Sequence, residues 1–304
     1  MPLHIHTPLI ESHVLSTIMG ADVRLKLECL QPSGSFKIRG IGFLCETLKK
    51  NGVSRFVSSS GGNAGIAVAY AGMRLKIPVT VVVPQTTTER AKKVIESFGA
   101  DVRVHGASWQ EAHELAENLS NNQDIALVHP FDHPLLWEGN ASIIDEIYAS
   151  GFLPDAVLVS VGGGGLYSGI VNGLRRNGLS SIPVIAVETE GTASLNGSIR
   201  EDRLIELEQI RGVATSLGAK KVAKNAFEAA KTHPTKSIVV SDSQAISACR
   251  RLLDDHRLLV EPACGAALAP AYETLAEIKA YRKIVCIVCG GATVTGEQLQ
   301  GYSV

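Results

Sequence analysis

The 304-residue chain lacks an excess of charge of either sign and lacks any long apolar run. It has 29 lysines and arginines against 30 aspartates and glutamates, for a formal net charge of -1. A nucleic acid or an anionic membrane surface requires a basic face, so neither is expected as a partner. No apolar segment approaches the ~18–20 residues that span a bilayer, and the first residues lack the charged-then-apolar order of a signal peptide. We therefore expect a cytoplasmic protein.

A disulfide framework is also missing. Most of the six cysteines, at positions 29, 45, 249, 264, 286 and 289, lie in apolar segments, which is typical of a reducing compartment. Cys286 and Cys289 form a C-x-x-C pattern inside the apolar run KIVCIVC, which predicts a buried strand. Residues three apart in a strand point to opposite faces of the sheet. Neither a thioredoxin-like site nor a zinc site is therefore expected.

Short β-branched runs alternate with longer helical patterns along almost the whole chain. Strands are predicted at 23–28, 55–59, 79–83, 101–104, 125–128, 156–161, 183–188, 237–240 and 284–289. Helices are predicted at 35–50, 62–76, 86–98, 108–121, 137–150, 165–177, 220–231, 242–254 and 264–279. Several strands are apolar on both faces, as in parallel sheets that are covered by helices on both sides. The pattern predicts an α/β fold with open, twisted, mostly parallel sheets, and the length suffices for two domains.

One lysine lies where a helix is predicted to begin, in the segment SGSFKIRG at 33–40. The positive end of the helix dipole and partial burial beside Phe36 both disfavour the ammonium form of Lys37. A neutral lysine can attack an aldehyde and form a Schiff base. Taken alone, the segment is more typical of a surface lysine on an amphipathic helix.

Three glycine-rich loops follow predicted strands. The segment SSSGGNAG at 58–65 can direct backbone N–H groups at a carboxylate or phosphate, although an ordinary strand-to-helix turn is the alternative. Four consecutive glycines at 162–165 favour close approach of a ligand, and a phosphate is the ligand expected at this position. A dinucleotide site with Glu188 as the ribose acid is the rival, but no G-x-G-x-x-G or Walker A pattern fits. The segment CGGAT at 289–293 places Cys289 where it can face a ring nitrogen or lie buried.

In this order, SGSFKIRG, SGGN, GGGGL and CGG resemble the fold type II pyridoxal-phosphate (PLP) enzymes. The closest similarity is to the L-serine dehydratase/L-threonine deaminase branch, and within it to the serine dehydratase-like subgroup. FDHPLLWEGNAS at 131–142, VETEG at 187–191, TSLGAKKV at 215–222 and LLVEPACGAALA at 258–269 extend the resemblance over nearly the whole chain. It implies a large PLP-binding domain of residues 1–40 and 135–304 and a small domain of residues 41–134.

The resemblance also implies a role for each matching position. Lys37 would hold PLP as a Schiff base and act as acid and base at the substrate α-carbon. Phe36 would pack on one face of the ring, and Cys289 would approach the pyridine nitrogen. Asn63 would hydrogen-bond the phenolic oxygen.

Three further sets of residues are implied in the same way. The phosphate would be held by the backbone of Gly162, Gly163, Gly164, Gly165 and Leu166. The substrate carboxylate would be held by Ser59, Ser60, Gly61, Gly62 and Asn63. A monovalent cation, expected to be potassium, would be held by Glu188 and by carbonyl groups near Ser194, Leu217 and Ala219.

The activity that the resemblance implies is β-elimination of L-serine to pyruvate and ammonia, and of L-threonine to 2-oxobutyrate and ammonia. A neutral cysteine thiol holds a proton on the pyridine nitrogen less well than an aspartate would, and this weaker electron sink suits elimination. Racemisation, β-replacement and non-catalytic PLP binding remain alternatives. We expect a homodimer, without the C-terminal module that gives biosynthetic deaminases feedback control by isoleucine. Gly61 replaces an alanine of the liver-type enzymes, and we expect Gly61→Ala to raise activity on serine.

Overall fold

The computed structural model describes residues 1–302, so positions 303 and 304 of the predicted large domain lie outside the described residues. The strands in this range are β1 (Leu9–Glu11), β2 (Asp22–Lys26), β3 (Arg55–Ser58), β4 (Val79–Val83), β5 (Asp101–Val104), β6 (Ile125–Leu127), β7 (Ala156–Ser160), β8 (Val184–Thr189), β9 (Thr235–Val240) and β10 (Lys283–Ile287). The helices are α1 (His13–Met19), α2 (Lys37–Lys50), α3 (Asn63–Leu75), α4 (Glu89–Ser97), α5 (Trp109–Leu119), α6 (Pro134–Ala149), α7 (Gly165–Arg176), α8 (Ser194–Arg200), α9 (Lys224–Thr232), α10 (Asp242–His256), α11 (Pro262–Tyr272) and α12 (Gly296–Gly301).

The strands form two separate sheets. The larger sheet has six strands in the order β1-β2-β10-β7-β8-β9, parallel except for β1, which runs antiparallel to β2. The smaller sheet has four parallel strands in the order β5-β4-β3-β6. Every residue of β4 and of β7 is buried, because helices cover both faces of these central strands. The predicted α/β fold with open, mostly parallel sheets is therefore confirmed.

Each sheet has its own hydrophobic core. The larger core joins β7, β8 and β10 to residues of α7, α10 and α11, and the second joins β3 and β4 to α2 and α3. A third, smaller cluster seats α5 on the sheet, where Ala112 and Ala116 pack with Val57 and Val82. Burial of these apolar surfaces is the main term that stabilises both layers.

Several element ends differ from the sequence prediction. The helix predicted at 264–279 ends at Tyr272, because Thr274 adopts a left-handed backbone with φ of 50°. The helix predicted at 86–98 begins at Glu89, and the Thr88 side chain caps it by accepting the N–H of Ala91. The sequence prediction also missed β1, α1, α8 and α12. These elements are three to seven residues long, too short to show a clear periodicity.

The loop before α2 lies against the loop after β10. The N–H of Phe36 donates to the carbonyl of Cys289 at 3.1 Å, and the N–H of Gly291 donates to the carbonyl of Gly34 at 2.9 Å. The start of α2 is thereby fixed at the carboxyl end of the central strand β10, the edge where ligands bind in open α/β sheets. Within residues 1–302, no helix has the length and apolar character needed to cross a membrane.

Candidate active site

Lys37 is the first residue of α2, and its Nζ atom donates to the carbonyl oxygen of Pro130 at 2.7 Å. Burial lowers the pKa of Lys37 to about 8, although nearby Cys289 and Glu261 act in the opposite direction. A sizeable fraction of the amine is therefore neutral at mildly alkaline pH and available as a nucleophile. The ring of Phe36 lies beside it, with its centroid 5.2 Å from Nζ.

The tetraglycine loop has no room for side chains. A Cβ atom at Gly163 would lie 2.3 Å from the ring of Phe131, and one at Gly162 would lie 2.8 Å from the backbone of Leu217. Gly164, with φ of 89°, is in the left-handed region that favours glycine. In residues 1–302, no acceptor meets the N–H groups of Gly162, Gly163 or Gly164. The loop therefore presents free backbone donors at the start of α7, as an anion requires.

The lysine turn and the glycine loop line one small cavity. Phe36, Lys37, Gly165 and Leu166 line it, together with Pro130 and Phe131. Residues of α2 and α6, at positions 40, 41, 136 and 140, complete the lining. The structure thus brings the predicted Schiff-base lysine and the predicted phosphate loop to one place.

Asn63 is the first residue of α3, and both ends of its carboxamide are fixed. Its Oδ1 accepts the N–H of Ala292 at 2.9 Å, and its Nδ2 donates to Oε1 of Glu261 at 2.5 Å. The Ala292 bond ties the helix to the Cys289 loop, and Cys289 itself is 6% exposed. The second proton on Nδ2 remains to donate to a ligand.

Glu261 belongs to the same site and was not predicted from the sequence. Its Oε2 accepts the hydroxyl of Thr293 at 2.9 Å, and burial raises the pKa of this carboxyl. Gly291 lies against the same carboxylate, since a Cβ there would lie 2.3 Å from it. The signal that could have found it is a single acid, directly before a proline, in the otherwise apolar segment LLVEPACGAALA.

The predicted carboxylate loop runs from the end of β3 to the start of α3. Ser59 is buried, and its Oγ lies 2.9 Å from Nδ1 of His113. The Oγ atom of Ser60 accepts the N–H of Gly62 at 3.3 Å. Gly61 is packed under Thr87, because a Cβ at position 61 would lie 2.7 Å from the Thr87 Oγ1 and Cγ2 atoms. The methyl group of a Gly61→Ala variant would therefore overlap the side chain of Thr87.

The predicted cation ligands fall into two groups. Glu188 is fully buried, and its two carboxylate oxygens accept the N–H groups of Leu195 and Asn196 at 2.8 and 2.7 Å. Burial raises the pKa of Glu188 to about 8, and no salt bridge to it occurs within residues 1–302. Ser194 lies beside this carboxylate, and its hydroxyl has no partner in the described residues.

Leu217 and Ala219 form the second group. The N–H of Ala219 donates to the carbonyl of Leu217 at 2.7 Å, in a turn that packs against Gly162 of the glycine loop. The structure thus places Ser194 beside Glu188, and Leu217 beside Gly162 of the glycine loop.

Known proteins resemble this chain over nearly its full length. A family model described as pyridoxal-phosphate dependent enzyme matches residues 1–290. The chain is 46% identical to the serine dehydratase-like protein of Rattus norvegicus, covering 98% of this chain and 94% of the relative. It is 44% identical to the L-serine dehydratase/L-threonine deaminase of Mus musculus, covering 99% and 95%.

A solved structure gives the same result for the fold. The crystal structure of a fungal L-serine ammonia-lyase from Rhizomucor miehei matches with a TM-score of 0.94 at 33% identity, covering 99% of this chain and 98% of that one. The two-sheet architecture is thus that of the fold type II enzymes, as the sequence predicted. The chain belongs to the family of pyridoxal-phosphate-dependent enzymes.

Proposed function

We propose that this protein is an L-serine/L-threonine ammonia-lyase that uses PLP to eliminate the β-hydroxyl group of its substrate. L-serine would give pyruvate and ammonia, and L-threonine would give 2-oxobutyrate and ammonia. The observation that carries the proposal is the buried amine of Lys37, with its pKa lowered to about 8, in a cavity that Gly165 and Leu166 of the glycine loop also line. The names of the relatives, which are dehydratases and an ammonia-lyase, support the same reaction.

The residues present fit the cofactor. The N–H groups of Gly162 to Gly165 and of Leu166 are available for its phosphate, and the neutral amine of Lys37 is available for its aldehyde. Asn63 would donate its second amide proton to the phenolic oxygen, and Cys289 would offer its thiol to the pyridine nitrogen. Phe36 would cover one face of the ring. When bound, PLP supplies the electron sink of the reaction.

Side chains and backbone groups of the protein would carry out proton transfer and orient the substrate. Lys37 would take the proton from the substrate α-carbon, because a group with a pKa near the working pH is the most effective base. The start of α3, with Ser59, Ser60, Gly61 and Gly62, would orient the substrate carboxylate through hydroxyl and backbone donors. The fixed orientation of Asn63, bonded to both Ala292 and Glu261, would keep its donor aimed at the cofactor.

We also propose potassium as the cation at Glu188. The support is a fully buried carboxylate without a basic side chain among its described partners, beside the unpartnered hydroxyl of Ser194. A monovalent cation would offset the cost of burying that charge. Carbonyls of the Leu217–Ala219 turn would complete the site.

The proposal also includes the domain division, the oligomeric state and the cellular location. The division into residues 1–40 plus 135–304 and residues 41–134 is supported by two sheets with separate cores. Homodimer formation is inferred from the resemblance. A cytoplasmic location is inferred from the six cysteines, which are all free in this structure. Light scattering of the purified protein would test the dimer.

The reaction is tested with the purified holoenzyme and two substrates. L-serine and L-threonine are supplied in potassium buffer, and 2-oxo acid, ammonia and D-serine are each measured. We expect pyruvate and 2-oxobutyrate in equal amounts to ammonia. A protein that binds PLP and yields D-serine alone would favour racemisation, and one that yields no product would favour non-catalytic binding. Either result would refute the ammonia-lyase.

A further inference from the structure

Asn140 of helix α6 joins the helix that carries Lys37 to the helix that begins at the glycine loop. Its Oδ1 atom accepts the N–H of Gly40 in α2 at 3.1 Å, and its Nδ2 atom donates to the carbonyl oxygen of Gly165 in α7 at 3.1 Å. Because one partner is a donor and the other an acceptor, only one orientation of the carboxamide satisfies both. The residue is 4% exposed and lines the same cavity as Lys37 and Gly165.

Glycines let the three helices approach one another closely at this residue. A Cβ atom at Gly40 would lie 2.5 Å from the carbonyl oxygen of Leu136 in α6. On the other side, a Cβ atom at Gly169 of α7 would lie 2.4 Å from the Cβ atom of Asn140. The spacing is therefore tight enough for one short carboxamide to bond both neighbouring helices.

Each end of the carboxamide is bonded beside a proposed attachment point of the cofactor. Gly40 lies three residues after Lys37, so the two residues share one face of α2. The carbonyl of Gly165 and the N–H of Leu166 belong to one planar, trans peptide unit and point in opposite directions. That N–H therefore points away from Asn140 and out of the start of α7, where the phosphate is proposed to lie.

We propose that Asn140 is a positioning residue that sets the separation between the two attachment points of the cofactor. PLP would attach through its aldehyde at Lys37 and through its phosphate at the glycine loop. A fixed separation makes the second attachment an intramolecular step and so tightens binding. Without the two hydrogen bonds, α2 and α7 can shift relative to each other, and the two attachment points then no longer match one rigid ligand.

The inference rests on the proposed function, in which Lys37 and the glycine loop hold PLP, and its test compares three ligands on the full chain freed of cofactor. PLP has both groups, pyridoxal has the aldehyde without the phosphate, and pyridoxine 5′-phosphate has the phosphate without the aldehyde. The dissociation constant Kd of each is measured by isothermal titration calorimetry. In the wild type, we expect PLP to bind more tightly than either single-group ligand by about 100-fold or more.

The variant Asn140→Leu keeps the shape of the side chain and removes both hydrogen bonds. We expect its Kd for PLP to rise by about tenfold or more, the size of effect of two hydrogen bonds. Its Kd for each single-group ligand should stay close to the wild-type value, because such a ligand does not sense the separation. Asn140→Ala should give the same pattern if leucine is not accommodated, and the melting temperature shows whether each variant is folded.

The matched control is Asn177→Ala. Asn177 joins the same two helices at the end of α7 that is remote from the glycine loop. Its Nδ2 atom donates to Oδ1 of Asp145 at 2.8 Å and to the carbonyl oxygen of Gly173 at 2.9 Å. Its replacement should leave all three Kd values unchanged.

Three results would overturn the inference. They are an unchanged Kd for PLP in the Asn140 variants, an equal rise for all three ligands, and a wild type that binds PLP no more tightly than pyridoxine 5′-phosphate. The same rise in Asn177→Ala would also overturn it, because the effect would then come from general packing of α6 on α7. If the protein binds PLP and makes pyruvate from L-serine, these results refute only the role of Asn140. If it binds none of the three ligands, the proposed function fails first.

Discussion

Asn63 and Glu261 share a hydrogen bond of 2.5 Å that crosses from the helices of the small sheet to those of the large one. The two residues are 198 positions apart in the chain. The bond fixes the carboxamide that is proposed to face the cofactor, and it places a buried carboxylate near Lys37. The charge on that carboxylate contributes to raising the pKa of the lysine, which burial lowers.

The variant Glu261→Gln tests this electrostatic link. Glutamine keeps an acceptor for Asn63 but removes the negative charge, so the pKa of Lys37 should fall further. We expect the pH dependence of PLP uptake by the apoprotein, followed by visible absorbance, to move to lower pH. Glu208→Gln, at an exposed position, should leave it in place. An unchanged midpoint in Glu261→Gln would show that Glu261 does not act on Lys37.

The buried carboxyl group of Glu188 is predicted to make the stability of the protein depend on pH and on potassium. The pKa of this carboxyl is raised from 4.5 to about 8 in the folded state. The folded protein therefore holds a proton that the unfolded chain releases, and without a cation this group's contribution to stability falls as the pH rises from about 4.5 to about 8. We expect potassium chloride to raise the melting temperature at pH 8.5, relative to tetramethylammonium chloride, and to have little effect at pH 5.

The control for this measurement is Glu188→Gln, which has no charge to compensate. It should lose the potassium effect and should be the more stable protein at pH 8.5 in tetramethylammonium. Stabilisation of both proteins to the same extent would place the cation elsewhere.

Gly61→Ala is predicted to reduce stability, contrary to the gain in activity expected from sequence alone. The added Cβ would lie 2.7 Å from two atoms of the Thr87 side chain, and overpacking of this kind costs about 1–3 kcal/mol. We expect a lower melting temperature and no rise in kcat/KM for L-serine. The double variant Gly61→Ala/Thr87→Ala removes the two contacting atoms and should recover the loss. Equal melting temperatures for Gly61→Ala and the wild type would argue against the clash.

Replacing Arg39, which lies close to the active site, is predicted to lower the stability of the folded protein. It is fully buried two residues after Lys37, where Nε donates to Glu28 at 2.6 Å and Nη1 donates to Glu146 at 2.7 Å. Lysine lacks the planar fork that serves both carboxylates, and Lys26 pairs with Glu146 but not with Glu28, so Arg39→Lys should leave Glu28 short of donors and lower the free energy of unfolding by about 1.5–3 kcal/mol.

Urea denaturation measures this loss, and Arg103→Lys is the matched control. Arg103 pairs with Asp101 on the surface, and we expect its replacement to cost less than about 1 kcal/mol. Similar losses in the two variants would mean that the buried network around Arg39 contributes little.

The parts of the site that could be predicted are those that lie in ordered local motifs. Lys37, the tetraglycine loop and Cys289 each follow a strand or begin a helix, and the α/β alternation places such loops at one edge of a sheet. Glu261 was not predicted, because its place in the site comes from a contact with Asn63 that only the folded chain creates. Helix ends were missed for a related reason, since the left-handed turn at Thr274 carries no glycine to mark it.

The central claim is that Lys37 carries the cofactor, and reduction with borohydride tests it most directly. Reduction converts the Schiff base into a stable phosphopyridoxyl-lysine, which is located by peptide mass spectrometry. We expect the label on Lys37, with no label and no pyruvate formation in Lys37→Ala, whereas Lys50→Ala on the same helix behaves as the wild type. Label on another lysine, or turnover of L-serine by Lys37→Ala, would contradict the claim.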